Sequence, residues 1–281
     1  MLAYFTVTME SNMKKLLSLA VSAILLTPAF SFAQATNDIQ AKQMMPEDEF
    51  QEDTWYVTLG AGVLYGSLFA GASKQEIIPL PVIEAQYNRW SIGFDGVSYA
   101  VVQTDDYALG FNLGYDFGRQ DDEDSLPERS RGIGDIDGGL AASVFAEYYL
   151  FGFIALTADL TQSDTDADSV LFSVGAETDI PRYGDNVFGN FGINATWAND
   201  DHMQAYYGVN QAQSQATGLN QYTAESGLES VSLTAGVSYI DGRWLYNATA
   251  GVDLFQGDAG DSPIIEDDVQ PFVFISASYT F

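Results

Sequence analysis

A strict alternation of residue type constrains this chain more than any other feature. In the segment 55–65, large apolar side chains occupy the odd positions, whereas Thr and Gly recur at the even ones. The same period returns around 107–117, 170–177 and 231–239. A period of two places successive side chains on opposite faces of a strand, whereas a helix repeats every 3.6 residues. The pattern therefore predicts an all-β protein.

The alternating segments are long for a soluble sheet. Many contain about ten residues or more, which suits a tilted strand that crosses a bilayer. The candidate strands are 55–66, 76–87, 89–101, 106–118, 136–149, 153–162, 169–180, 187–199, 228–240, 243–256 and 271–281. Small and polar residues on one face predict a narrow polar lumen, and apolar residues on the other predict contact with lipid.

A soluble β-sandwich with one wet face would show the same alternation. Aromatic residues near the strand ends favour the membrane barrel, because Trp and Tyr concentrate at bilayer interfaces. These residues are Trp55, Tyr65, Tyr87, Trp90, Tyr148, Tyr149, Trp197, Trp244 and Phe281. We therefore predict a single transmembrane antiparallel β-barrel over residues 54–281.

Strand number follows from parity. Short links at 150–152, 181–186 and 241–242 predict periplasmic turns, and longer links at 119–135, 200–227 and 257–270 predict extracellular loops. Eleven strands cannot place both ends on one side, and single-chain bacterial barrels have even numbers. Pro79, Pro81 and Gly96 interrupt strand pairing, so the error in the strand boundaries is expected between residues 67 and 105. We predict twelve strands, with ten as the alternative.

The N-terminus has the organisation of an export signal. A basic Met13-Lys14-Lys15 precedes an apolar run to Leu26, and small residues allow cleavage after Ala33 or Ala35. Residues 1–35 are therefore predicted to be a cleaved signal peptide, with Met13 as a candidate true start. Residues 36–53 are acidic and aperiodic, which predicts a flexible periplasmic leader.

Composition excludes several functions. The net charge of −29 repels phosphate backbones, so we expect no nucleic-acid partner. The chain has no Cys, which excludes disulfides and thiolate chemistry. The last strand ends on Tyr279 and Phe281 and is similar to the signal that the barrel assembly machinery recognises. Outer-membrane lipid, lipopolysaccharide and that machinery are the expected partners of a barrel in the outer membrane of a Gram-negative bacterium.

Candidate chemical groups are few. His202 is the sole histidine; Ser214 is a conceivable partner, but a solvated loop histidine is the favoured interpretation, and we expect no enzyme, no catalytic residue and no cofactor. Asp164, Asp166 and Asp168 resemble the start of an EF-hand loop but lack its later Gly and Glu, so no metal site is expected. With Asp121, Asp122 and Asp124 they remain candidates for weak divalent-cation binding at loop tips.

Five carboxylates fall on the polar strand face, namely Asp116, Glu147, Asp159, Glu177 and Asp253. In an open lumen they would favour cations. The alternative is that they pair with Arg or hydrogen-bond across a closed interior, as in most small barrels.

Three motifs between the strands resemble the MipA/OmpV family. They are Gly132-Ile133-Gly134-Asp135-Ile136-Asp137, then Tyr206-Tyr207-Gly208-Val209 with a Gln/Ala/Ser run to Gly218, and Asp258-Ala259-Gly260-Asp261-Ser262-Pro263-Ile264. Their order and spacing match across 54–281.

The resemblance implies an outer-membrane protein. The family's best-known member is a scaffold that links a murein lytic transglycosylase to a penicillin-binding murein synthase, and others are described as adhesins, immunogenic surface proteins or factors in antibiotic susceptibility. It supplies no catalytic residues. We therefore predict a non-enzymatic envelope scaffold or surface-exposed structural protein. The alternatives are a small cation-preferring channel and, third, an outer-membrane lipid hydrolase.

Overall fold

The computed structural model describes residues 54–67, 70–121, 130–183 and 186–281, and these form a closed barrel of twelve antiparallel strands. The strands are β1 Trp55–Ser67, β2 Gln75–Tyr87, β3 Trp90–Gly93, β4 Gly96–Gln103, β5 Tyr107–Asp116, β6 Gly139–Leu150, β7 Ile154–Ser163, β8 Ser169–Tyr183, β9 Val187–Ala198, β10 Gly227–Asp241, β11 Trp244–Phe255 and β12 Val269–Thr280. The predicted single barrel is confirmed. The predicted signal peptide (1–35) and leader (36–53) lie outside the described residues.

Each strand pairs with its neighbours in sequence, and the first strand closes the cylinder against the last. Thr58 lies opposite Thr280 and Tyr65 opposite Val273 in the β1–β12 ladder. Closure gives β1 and β12 a partner on both sides, which removes the exposed edges that an open sheet would present to lipid.

The predicted strand 89–101 is wrong, because it is two strands. β3 and β4 form a short hairpin in which Trp90 pairs with Tyr99 and Gly93 with Gly96. Gly96 has φ +126°, a conformation that side chains with a Cβ rarely adopt, and this residue begins the returning strand. The extra strand raises the number of strands from eleven to twelve. The prediction of twelve strands is therefore confirmed, and the wrongly placed boundary lies at Gly96, one of the three residues expected to interrupt pairing.

The two ends of the barrel differ. Short turns join the strands at 88–89, 104–106, 151–153 and 242–243, on the same side as the C-terminus. The other end carries the long loops and three helices, α1 Asp200–Tyr207, α2 Gln211–Thr217 and α3 Gly257–Gly260. Outer-membrane barrels keep short turns in the periplasm and long loops outside. Among the described residues, no helix is long and apolar enough to cross a membrane.

The outer surface is apolar. Ile77, Leu113 and Leu140 are among the most exposed side chains, with 72%, 58% and 71% of their area accessible. A belt of this kind is unstable in water and is the surface that lipid covers. Tyr149 is a correction to the predicted aromatic girdle, because it lines the lumen and its hydroxyl donates to Glu147.

The sequence predicted a polar lumen, but one part of the lumen is apolar. Inward side chains of β1, β2 and β12 form an apolar patch of Leu64, Ile78, Leu80, Phe272 and Phe274. Glycines make room for its rings, since a Cβ on Gly62 or Gly251 would lie 2.6 Å or 2.4 Å from a ring carbon. Elsewhere the interior is lined mainly by Ser, Thr, Asn and carboxylates.

Replacement of Gly96 by Ala tests the hairpin. The positive φ and a Cβ only 2.2 Å from the Leu113 carbonyl oxygen should lower the free energy of unfolding by about 1–3 kcal/mol. Urea titration of the barrel in lipid vesicles measures this. Gly227→Ala is the control, because no atom lies within 4 Å of its Cβ position. Equal effects at both sites would contradict the assignment of strain to Gly96.

A sealed lumen as the candidate functional site

A cavity of about 690 Å³ occupies the lumen on the side of β3–β9. Its lining begins at the periplasmic turns with Asn88, Thr104 and Asp105, and it ends beneath α1 at His202 and Tyr206. The cavity therefore reaches the end with short turns, and loop residues close it at the other.

Four of the five carboxylates predicted for the lumen line this cavity: Asp116, Glu147, Asp159 and Glu177. Asp253 points inward from β11 but is fully buried outside the cavity. Each accepts a hydrogen bond from a neutral donor. The donor–acceptor distances are 2.9 Å from Gly118 N–H to Asp116, 2.8 Å from Tyr149 to Glu147, 2.5 Å from Thr161 to Asp159, 2.7 Å from Asn190 to Glu177 and 2.5 Å from Ser232 to Asp253.

Sequence reasoning missed three further carboxylates in the lining, Asp95, Asp105 and Glu229. Asp95 lies in the unpredicted β3–β4 turn and Asp105 in a periplasmic turn, so neither showed a strand period. Glu229 lies beside a register shift between Leu228 and Ser230, which turns an odd-numbered side chain inward. The lining thus contains seven carboxylates, and Arg89 is the one Arg or Lys side chain among its described residues. The cavity is therefore strongly acidic.

Helix α1 closes the top of the cavity. The Asn199 side chain caps the helix by accepting a hydrogen bond from the His202 N–H. Asp200 and Asp201 lie in its first turn, where their negative charges interact favourably with the helix dipole. Its inner face is buried, and Met203 has no accessible area. The surrounding cluster draws residues from several loops and strand ends: Ala70, Ile136, Ala167, Ala198, Tyr206, Tyr207, Ala224, Phe255, Ala259 and Ile265.

The loop between β5 and β6 packs against α2 through a glycine turn, where the Gln213 side-chain amide donates to the Ile133 carbonyl at 2.6 Å. Gly132 and Gly134 both have φ +95°, and their N–H groups donate to the Asp121 carboxylate at 2.8 Å. This arrangement of backbone donors around an anion holds the loop in one shape. It also directs Ile133 and Ile136 into the buried clusters, with 2% and 6% of their area exposed.

Arg119 joins the same loop to α1. Its guanidinium donates to the Gly134 carbonyl at 3.3 Å and to the Tyr206 carbonyl at 3.2 Å, and it lies 5.9 Å from the Tyr206 ring centroid. Burial lowers the pKa of Arg119, while Tyr206, Asp121 and Asp135 raise it. A buried cation with these acceptors fixes the position of the helix end.

The loop between β11 and β12 completes the closure. Ser262 donates to the Tyr207 carbonyl at 2.6 Å, and Ile264 is fully buried against Ala72, Ile133 and Val209. Val209 also pairs with Tyr222 in an isolated bridge. The three family-like motifs therefore meet in space. They form one structure, which we call the plug: residues 130–137, 199–222 and 257–265.

His202 is a correction to the sequence interpretation, because it is buried and not a solvated loop residue. Its Nδ1 lies 2.9 Å from Ser169 Oγ and its Nε2 lies 3.3 Å from Glu229 Oε1. Ser214 is not its partner, since it donates to the Leu219 carbonyl. The order Ser–His–Glu is that of a hydrolase triad, but Ser169 has only 1% of its area exposed.

The Tyr207 hydroxyl also donates to Glu229, at 2.6 Å. Burial and the Glu229 carboxylate raise the pKa of Tyr207 well above 10, so the hydroxyl stays protonated and keeps donating. The histidine ring stacks on Tyr206 with centroids 4.4 Å apart. These contacts attach α1 to β8 and β10, which is what a structural role requires.

The candidate cation-binding aspartates do not assemble into a site in the described chain. Asp121 is occupied by the glycine N–H groups, and Asp122 and Asp124 lie outside the described residues. Asp164, Asp166 and Asp168 lie in the β7–β8 loop. Within the described ranges, no group of three or more His, Cys, Asp or Glu side chains is placed to hold a metal ion.

The C-terminal residues lie at the periplasmic rim. The Phe281 N–H donates to the Val57 carbonyl at 2.9 Å, and the Tyr279 ring contacts both Phe281 and Trp244. Phe281 is 60% exposed on the lipid side, where a partner can reach it. Its role as an assembly signal stays a prediction.

Replacement of Asp121 by Ala tests the plug. Loss of the acceptor removes the hydrogen bonds that the carboxylate accepts from the Gly132 and Gly134 N–H groups, and bonds to a charged acceptor should contribute about 1–3 kcal/mol locally. Hydrogen exchange at Gly132 and Gly134 should then accelerate roughly ten- to a hundredfold. Asp137→Ala, an exposed carboxylate of the same loop, is the control and should change little. Unchanged exchange in Asp121→Ala would show that the glycine turn does not depend on the carboxylate.

Solved outer-membrane barrels resemble the structure distantly. A bacterial polysaccharide outer-membrane secretin is 10% identical, with 83% of this chain and 100% of that chain covered and a TM-score of 0.45. OmpT of Vibrio cholerae is 9% identical, with 81% and 97% covered and a TM-score of 0.38. The channel DcaP of Acinetobacter baumannii is 8% identical, with 81% and 96% covered and a TM-score of 0.38.

No curated protein matches the chain. The family described as MltA-interacting protein MipA matches residues 59–281, which runs from within β1 to the end of the chain. The family match, the closed even-stranded barrel and its lipid-facing belt place the protein in the outer membrane. The chain belongs to the MltA-interacting protein MipA family.

Proposed function

We propose that this barrel is a non-catalytic scaffold of the cell envelope, which holds a murein lytic transglycosylase, and with it a penicillin-binding murein synthase, at its periplasmic face. The family is described by its interaction with one such enzyme, MltA. The observation that carries the proposal is the asymmetry of the lumen, which the plug closes outside and which reaches the periplasmic turns inside. A barrel of this form offers its surface to the periplasm and no open path through the membrane.

The β6–β7 turn is the strongest candidate for the docking point. Phe151 is 82% exposed and stacks on Phe153, with ring centroids 6.1 Å apart. Exposed aromatic residues are the side chains that most often dominate binding energy at protein interfaces. Phe151 also has φ +56°, a backbone conformation that is uncommon for residues other than Gly.

Absence of catalysis is part of the proposal. The Ser169 hydroxyl, the only nucleophile beside His202 in the described contacts, is buried beneath the plug. Its partner is Nδ1 of the imidazole, and Tyr207 shares the Glu229 oxygen that would orient the base. A lipid hydrolase needs a nucleophile that substrate can reach.

A second candidate is a cation-preferring channel, and the acidic cavity lining favours it. It requires displacement of the plug. A third description, a surface-exposed structural protein, would use the same plugged barrel and needs no periplasmic partner.

Affinity capture tests the scaffold. The folded barrel in detergent should retain a lytic transglycosylase from envelope extract, as identified by mass spectrometry. Phe151→Asn should reduce that recovery severalfold, because Asn tolerates the left-handed backbone but removes the exposed ring. Gln215→Ala, at the opposite end of the barrel, is the matched control. Capture that is absent, or equal in both variants, would contradict docking at this turn.

Conductance in planar bilayers separates the channel from the scaffold. The native barrel should show no steady current, because the plug is packed around Met203. Met203→Asp places a charge in that cluster and should open a cation-selective current. Steady current through the native barrel would favour the channel instead.

A fluorophosphonate probe tests the absence of catalysis. We expect no covalent adduct on Ser169, because its hydroxyl is inaccessible. Peptide mapping reads the result, and Ser169→Ala is the control for site specificity. An adduct on Ser169 that also depends on His202 would make the barrel a serine hydrolase.

A further inference from the structure

Among the described residues, one stretch of the barrel wall has no strand on one side. All of β2, from Gln75 to Tyr87, pairs with β1, but only Ala85, Gln86 and Tyr87 pair with β3. The β3–β4 hairpin turns back at Phe94 and Asp95, so it ends partway up the wall. Above it, no described strand pairs with residues 75–84 on that side.

The backbone alternation shows which residues face this gap. In an antiparallel sheet, both backbone polar groups of a residue point to the same neighbouring strand, and successive residues alternate between the two neighbours. The Phe281 N–H donates to the Val57 carbonyl. Odd-numbered residues of β1 therefore hydrogen-bond to β12, and even-numbered residues hydrogen-bond to β2. Thr58 pairs with Glu84, so even residues of β2 bond to β1. Odd residues of β2 therefore direct their backbone groups towards β3, and above residue 84 towards the gap.

Pro79 and Pro81 occupy two of those odd positions. Proline has no N–H, so neither residue weakens the β1–β2 ladder, and both remove a donor from the open edge. An edge with two prolines cannot extend the sheet with a further strand, from this chain or from a second copy. The sequence therefore maintains the gap as an opening.

The opening lies at the depth of the bilayer. The outward residues on β2 beside it, Ile77 and Ile83, are 72% and 54% exposed. Across the gap, Tyr115 on β5 lies beyond the last residue that pairs with β4 and is 47% exposed. Apolar side chains on both sides mark a surface that lipid covers.

Apolar and polar parts of the interior meet at this opening. Phe94 and Val82 are half-buried and pack against the apolar inner patch of Leu64, Ile78, Leu80, Phe272 and Phe274. The adjacent Asp95 lines the acidic cavity and lies 3.4 Å from Asn112 Nδ2. Tyr115, which faces outward, also lines the cavity, so the cavity reaches the edge of the gap.

We propose that the gap between β2 and β5, above the β3–β4 hairpin, is a lateral binding site for an acyl chain of a membrane lipid. The acyl chain contacts the side chains of Val82 and Phe94 and not the backbone edge of β2, and its end is directed towards the apolar inner patch. Water from the polar cavity satisfies the remaining backbone groups of the edge. This site is separate from the periplasmic scaffold role and does not depend on it.

Photolabelling tests the site. The full-length exported protein is folded into vesicles of phosphatidylcholine that carries a diazirine at the end of one acyl chain. After irradiation, mass spectrometry maps the carbene adducts, which form only at van der Waals contact. Phe94 should be labelled severalfold more than Phe145. Phe145 is the matched control, because it is also half-buried and faces the lumen, but its strand is paired on both sides.

A charge in the gap provides the second measurement. Val82→Asp should reduce the adducts on Phe94 severalfold while those on the outward Leu140 stay constant, with folding checked by resistance to SDS at room temperature. Phe94 labelled no more than Phe145 would overturn the proposal, as would occupation of the gap by the protein's own loops, which leaves Phe94 unlabelled. Equal labelling of Phe94 in the native and Val82→Asp proteins would also overturn it.

Discussion

Every backbone N–H and C=O that crosses a bilayer needs a partner, and this requirement determines the architecture. Lipid offers no hydrogen bonds, so an unpaired group costs several kcal/mol. The β1–β12 ladder meets the requirement by giving the first strand a neighbour on each side. The one departure, beside β2, is tolerated where prolines remove two donors and a polar cavity lies close by. Pairing thus explains both the closed wall and its interruption.

The sequence predicted the wall well, because period-two alternation is a local signal that each strand carries by itself. Ten of the eleven predicted segments are strands with small shifts at their ends, and the eleventh, 89–101, contains two. That error has a physical cause. A four-residue strand such as β3 is too short to show a period, and the turn at Phe94 and Asp95 has apolar neighbours on both sides. Only the parity of the barrel revealed the missing strand.

The plug was beyond sequence reasoning, because its contacts join loops far apart in the chain. Arg119 and Tyr206 are 87 positions apart, and Ser262 and Tyr207 are 55 apart. The motifs were recognisable by their resemblance to a family, but nothing local in 132–137 shows that its glycines bind Asp121 or that Ile133 meets Ile264. His202 illustrates the same limit. The neighbouring aspartates predicted a solvated side chain. The imidazole is instead buried, in contact with Ser169 on β8 and Glu229 on β10.

The position of the family motifs has a consequence for function. The three motifs that resemble the family meet in the plug, where Ile133, Val209 and Ile264 pack together, and Tyr206 and Tyr207 also line the top of the cavity. Their contacts close the extracellular end of the barrel. Under the two proposals, the barrel would bind a protein at its periplasmic rim and a lipid at its lateral gap. The acidic cavity lies between that rim and the closed extracellular end, and its carboxylates favour water there over lipid.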